Sequence, residues 1–165
     1  MKTLLLILTA GLAFGADGTL DAQAAFARLK SLAGEWQADT SMGKARLSYE
    51  VIGGGVALAE RLTFDHKGEP MAPMLTVYHL DNGKLMLTHY CDLGNQPRLR
   101  AAAFDAATGE IRFEFLDISN APDANASHMH SARLRIGAAL FLADWDLWAG
   151  GTKKTTESFK YTRLR

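Results

Sequence analysis

Along residues 20–33, LDAQAAFARLKSLA, apolar side chains recur at Ala22, Ala25, Phe26, Leu29, Leu32 and Ala33. That spacing marks one face of an α-helix, with Asp21 placed to cap its start and Gly34 to end it. From Gly34 onward the apolar period falls to two. The first alternating segment carries Trp36, and others follow at 44–52, 57–64, 74–80, 84–91, 98–104, 111–116, 128–136, 139–148 and 155–164. Asp81-Asn82-Gly83 joins two of them, and Asn-Gly accepts the positive φ angles of a tight hairpin turn. A two-residue turn there pairs Leu80 with Leu85, Tyr78 with Leu87 and Thr76 with His89. Roughly ten strands with turn residues every eight to twelve positions predict an all-β domain. The expected architecture is a single antiparallel up-and-down barrel with one N-terminal helix.

The first eighteen residues, MKTLLLILTAGLAFGADG, follow a different rule. Lys2 precedes an apolar run from Leu4 to Leu12, and small residues come after it. This is the pattern of a secretory signal, too short for a membrane helix, which needs about twenty apolar residues. Residues 1–15 are therefore expected to be a removable leader and residues 16–165 the barrel domain, in the periplasm or outside the cell. Loss of the leader removes one charge, Lys2, leaving 17 basic and 18 acidic side chains. No bulk attraction to nucleic acid is expected from such a balance. Cys91 is the only cysteine, so an internal disulfide is excluded, and the residue is either a small buried side chain or a functional thiol.

A helix leading into Gly34-Glu35-Trp36 on the first strand, then a meander ending in an arginine-bearing strand, resembles the calycin superfamily. Its members include lipocalins, fatty-acid-binding proteins and nitrobindin-like barrels. The resemblance implies that Trp36 packs at the closed end of the barrel against Arg163, a structural contact between a cation and an indole face. It also implies a lumen suited to one small molecule. The segment LTHYC followed by NQPR is similar to a group of exported bacterial barrels and implies no particular function. Nitrobindins usually carry a further glycine two residues after the tryptophan, where this chain has Ala38, and their haem-ligating histidine lies near the C-terminus, whereas none follows His130.

Candidate chemistry gathers on a few strands. Tyr78, His89 and Cys91 share one hairpin face with Leu80, Leu85 and Leu87, which is expected to be the inward face. In HMHSARLRI, His128 and His130 alternate with Met129 and Ser131 and fall on the side of Ala132, Leu134 and Ile136. Imidazoles two apart on a strand can share a metal ion, and His89 is the candidate third ligand. A polar rim that contacts a ligand is the competing role for the same three histidines. Cys91 beside His89 suggests a thiol assisted by imidazole, although no oxyanion hole or cysteine-enzyme signature accompanies it. Asn95, Gln96 and Arg98 are read as a loop at the barrel mouth, able to present amides and a guanidinium to a ligand. Glu50 and Glu60 are read as outward-facing acids. Asp144 and Asp146 are expected to face water, and Phe141, Ala143, Trp145 and Leu147 to face inward.

The expected function is binding of a small, partly apolar molecule in the lumen. The expected lining is Trp145, Phe141, Phe159, Tyr161, Tyr78 and Leu87, with Tyr78, His89, Cys91, Asn95, Arg98, His128, His130 and Trp145 contacting the ligand. The alternative is a metal- or histidine-dependent enzyme, or a haem-binding barrel, built on His89, His128 and His130.

Overall fold

The computed structural model describes residues 20–41, 43–66, 68–123 and 125–164. The leader read at residues 1–15 lies outside the described residues. Helix α1 (Ala22–Lys30) is followed by strands β1 (Gly34–Thr40), β2 (Gly43–Ile52), β3 (Ala57–His66), β4 (Glu69–Pro70), β5 (Met74–Asp81) and β6 (Lys84–Tyr90). The chain continues through β7 (Gln96–Asp105), β8 (Glu110–Ser119), β9 (His128–Ile136), β10 (Leu140–Ala149) and β11 (Thr152–Arg163). Apart from the short β4, each strand pairs antiparallel with the next, β3 pairing with β5, and β11 returns to pair with β1, which closes the ring. The two-residue β4 pairs only with the end of β3, so ten strands make the barrel wall.

Strand direction alternates around such a meander, so the connections fall at two ends. The helix end collects the 3-10 turn Gly53–Gly55, the Asn82-Gly83 turn and the turns after β7 and β9. The opposite end, the mouth, collects residues 68–73, 91–95, 120–123 and 125–127 and the Gly150-Gly151 turn. Asn82 and Gly83 have φ angles of 48° and 77°, and the hairpin pairs Leu80 with Leu85, Tyr78 with Leu87 and Thr76 with His89, as the two-residue turn requires.

Helix α1 seals its end because its apolar face has nowhere else to go. Ala25, Phe26, Leu29 and Leu32 are buried against the barrel core, and the Asp21 side chain accepts the Ala24 amide at 2.9 Å. Trp36 Nε1 donates to Leu32 O at 2.7 Å, and the Arg163 guanidinium lies 4.2 Å from the indole ring centre. Arg163 also donates to Ala33 O at 2.7 Å and Ser31 O at 2.8 Å, serving carbonyls that the end of a helix leaves open. Gly34 has φ +123°, and a Cβ there would stand 2.9 Å from Arg163 Nη1, so glycine is needed for both backbone and space.

Above the floor the lumen is packed solid. Phe141 meets Trp36 edge-on at 4.8 Å and stacks on Tyr161 at 4.8 Å, among Leu47, Leu58, Leu87, Leu99 and Leu134. Phe141, Tyr161, Tyr78 and Leu87, expected to line a cavity, are therefore core residues of the filled lower barrel. The mouth end, by contrast, holds a cavity.

Candidate functional site

Strand register places four polar side chains in one row across the wall. Tyr49 on β2 is opposite Glu60 on β3, Glu60 is opposite Thr76 on β5, and Thr76 is opposite His89 on β6. Directly opposed residues hold their Cβ atoms about 4.5–5.5 Å apart, close enough for functional groups to meet. The hydroxyls of Tyr49 and Tyr78 donate to Glu60 Oε2 at 2.7 and 2.6 Å, and Thr76 Oγ1 donates to Glu60 Oε1 at 3.2 Å. Thr76 Oγ1 also lies 2.9 Å from His89 Nδ1. His89 Nε2, at the far end of the row, is buried and has no hydrogen-bond partner among the described residues.

Burial sets the charges in this row. Desolvation raises the pKa of the Glu60 carboxyl, against the three hydroxyls that favour its ionised form. The Tyr49 and Tyr78 phenols are pushed well above their ordinary range, first by burial and then by the neighbouring carboxyl, so both remain donors. Burial lowers the His89 imidazole to about 4, with the charge of Asp92 opposing, so the ring is neutral at pH 7.

A cavity of about 210 Å3 lies at the mouth end of the lumen, walled by Leu62, Phe64, Met74, Met129, Leu147 and Phe159. His89, Trp145 and Glu60 also line it, as do Cys91, Asp92 and Glu157. The His89 and Trp145 ring centres are 5.3 Å apart. Met71 and Leu93 complete the lining and are 42% and 50% exposed, which marks the route from solvent. The size falls below the roughly 300–1,000 Å3 of pockets for drug-sized ligands, while roughly 150 Å3 suffices for a single benzene ring.

The candidate residues read from the sequence divide between this cavity and other places. His89, Cys91 and Trp145 line the cavity, and Tyr78 stands behind it, holding Glu60. Asn95 is buried at the mouth, where its Nδ2 donates to Ser127 O at 2.8 Å and ties two loops together. Arg98 does not face a ligand. Strand β7 begins at Gln96, so Arg98 sits in the wall with its side chain outside, ion-paired to Asp117.

His128 and His130 also depart from expectation. Pairing with β10 skips between Ser131 and Met129, a bulge that turns Met129 into the cavity and removes His130 from the inward set. His130 stacks between Phe115 at 4.6 Å and Trp148 at 3.9 Å, just beyond the point where β8 and β9 cease to pair. The Nε2 of His128 lies 2.9 Å from Nδ1 of His130, so each ring serves the other. His89 is not among their partners, and among the described residues no group of three or more His, Cys, Asp and Glu side chains could hold a metal ion. The three-histidine site therefore does not assemble, and a haem macrocycle does not fit a cavity of about 210 Å3.

Thiol chemistry fares no better. Burial pushes the Cys91 thiol up to about 11 while the same effect lowers His89, opposite to the shifts that create a thiolate–imidazolium pair. Glu60 corrects the expectation in the other direction. It is 5% exposed, whereas Glu50 faces water as expected. Its inward position was readable, because Leu58, Glu60, Leu62 and Phe64 have one parity on β3. Asp144 and Asp146 lie on the outer wall, bonded to Ser158, Ser131 and Thr156, as the alternation of FLADWDLW requires.

No protein-family model matches the chain, and no curated protein matches it either. Among the described residues no helix is long and apolar enough to cross a membrane.

Proposed function

We propose that the protein is an exported, calycin-like barrel that binds one small, largely apolar molecule at its mouth. The observation that carries this reading is the about 210 Å3 cavity, walled by apolar side chains around a buried imidazole nitrogen that no group among the described residues satisfies. An unpaired buried polar atom costs about 1–3 kcal/mol, a cost that a bonded ligand removes. The packed lower barrel gives a rigid base, so the mouth needs little reorganisation on binding. The calycin resemblance and the leader-like start support the same reading, the first through the helix-sealed floor built from Trp36 and Arg163, the second through the pattern of residues 1–15.

Native mass spectrometry of freshly purified protein is the direct test, searching for a noncovalent small molecule lost on unfolding. Alongside it, indole and indene are titrated while Trp145 emission is followed. Saturable binding of either compound, weakened by the cavity-filling change Leu147→Trp, supports the reading. Absence of a retained molecule together with no saturable binding of either compound refutes it.

A further inference from the structure

Resting on that cavity as a binding site, we infer that the row Tyr49–Glu60–Thr76–His89 fixes His89 Nε2 as a hydrogen-bond acceptor, and so selects ligands that carry an N–H or O–H donor and no negative charge. The inference follows from counting protons along the row. Two phenol hydroxyls converge on Glu60 Oε2, and the Thr76 hydroxyl points at Oε1. Three hydroxyls aimed at two oxygens match an ionised Glu60, and a hydroxyl has one proton, so once Thr76 gives it to that carboxylate, its oxygen can only accept from His89. The proton of the neutral imidazole then sits on Nδ1, 2.9 Å from Thr76 Oγ1, and Nε2 is left with a bare lone pair. That atom is buried and has no partner among the described residues, in a side chain that lines the cavity.

The rest of the lining sets the charge preference. Glu60, Asp92 and Glu157 contribute to the wall, and no lysine or arginine does among the described residues. An anionic ligand meets carboxylates without a cation to pair with, whereas a neutral donor meets an acceptor. Thr76 is a positioning residue in this scheme. It transmits the state of Glu60 to His89 without touching the ligand.

The prediction is sharpened by Glu60→Gln, which keeps the side-chain size. Both phenols can still donate to the amide oxygen, but the amide nitrogen now donates to Thr76. Thr76 in turn donates to Nδ1, and the imidazole proton moves to Nε2. One substitution thus inverts the polarity of the atom facing the ligand.

The test measures the His89 tautomer by long-range proton–nitrogen NMR in the unliganded protein at pH 7.5, and the binding of three bicyclic compounds of similar size. Indole only donates, isoquinoline only accepts, and indene does neither. The expected result is an Nδ1-protonated His89 and about tenfold tighter binding of indole than of indene, the effect of one hydrogen bond to a buried acceptor, with isoquinoline weakest. In Glu60→Gln the tautomer switches and isoquinoline overtakes indole. Thr76→Val, which breaks the relay while leaving the cavity wall, loses the fixed tautomer and with it the discrimination. An Nε2-protonated His89 in the unaltered protein overturns the inference whatever binds, and so does equal binding of indole and indene. That last outcome leaves the cavity reading standing, whereas failure of all three compounds to bind, with no molecule retained on purification, removes both.

Discussion

Acid should weaken this fold through His89, and the size of the effect can be worked from its surroundings. In the native barrel the imidazole is buried and its pKa is lowered from 6.5 to about 4, with desolvation as the leading cause. The unfolded chain keeps the ordinary value, so below pH 6.5 it binds a proton that the folded protein refuses. Stability supplied by the neutral ring is complete above pH 6.5, declines as the pH falls, and is gone below about 4. At about 1.4 kcal/mol for each pH unit, the loss across that window is about 3 kcal/mol. Glu60 acts in the opposite direction, because burial raises its pKa and the cost of its charge disappears in acid. The measurement is therefore a difference. Urea unfolding of the wild type and of His89→Phe is compared at pH 7, 6, 5 and 4, since Glu60 and His130 titrate in both proteins. His89→Phe also loses the contact with Thr76, which appears as an offset at every pH. The gap between the two stabilities should shrink by about 3 kcal/mol between pH 7 and pH 4. A constant gap would falsify the assignment of His89 as a neutral, desolvated ring.

Other consequences can be checked separately. Gly34→Ala forces a left-handed φ of +123° on a residue with a Cβ and presses it against Arg163; thermal unfolding should report a loss of about 1–3 kcal/mol. Arg163→Met removes two hydrogen bonds to the end of α1 and the contact with Trp36, and should cost about 2–3 kcal/mol in urea unfolding. Arg98→Ala, on the outer wall, should change stability by less than about 1 kcal/mol and leave indole binding unchanged. Cys91, with its thiol pushed up to about 11, should react with iodoacetamide far more slowly than free cysteine at pH 7.5 and accelerate only in strong alkali.

Much of the barrel was readable from local chemistry. The hairpin around Asn82-Gly83 specified its own register, and from that register followed the inward positions of Tyr78, His89 and Cys91. Trp36 and Arg163 met as the calycin resemblance implied. Elsewhere alternation misled. The bulge opposite Asp146 and Leu147 exchanged the expected roles of Met129 and His130, because an extra residue reverses the parity of everything beyond it and no turn residue announces it. Arg98 was read with Asn95 and Gln96 as part of the mouth loop, yet β7 already runs from Gln96 and the guanidinium finds Asp117 on the outer face. Glu60 was read as facing outward, the cheaper position for an acid in an apolar strand. A carboxylate on an apolar face is costly, and only the pairing of distant strands brings the tyrosines and the threonine that offset the cost. Sequence alternation could give its side of the sheet but not its three partners.

The Asn82-Gly83 turn sits at the sealed end, a full strand's length from the opening, yet it governs what an incoming molecule encounters. A one-residue slip of β6 started there would carry the imidazole to the outside together with Leu85 and Leu87, which are fully buried in the core. Lesions in that turn should therefore weaken the barrel and unmake its opening together, with the cause as far from the symptom as the barrel allows.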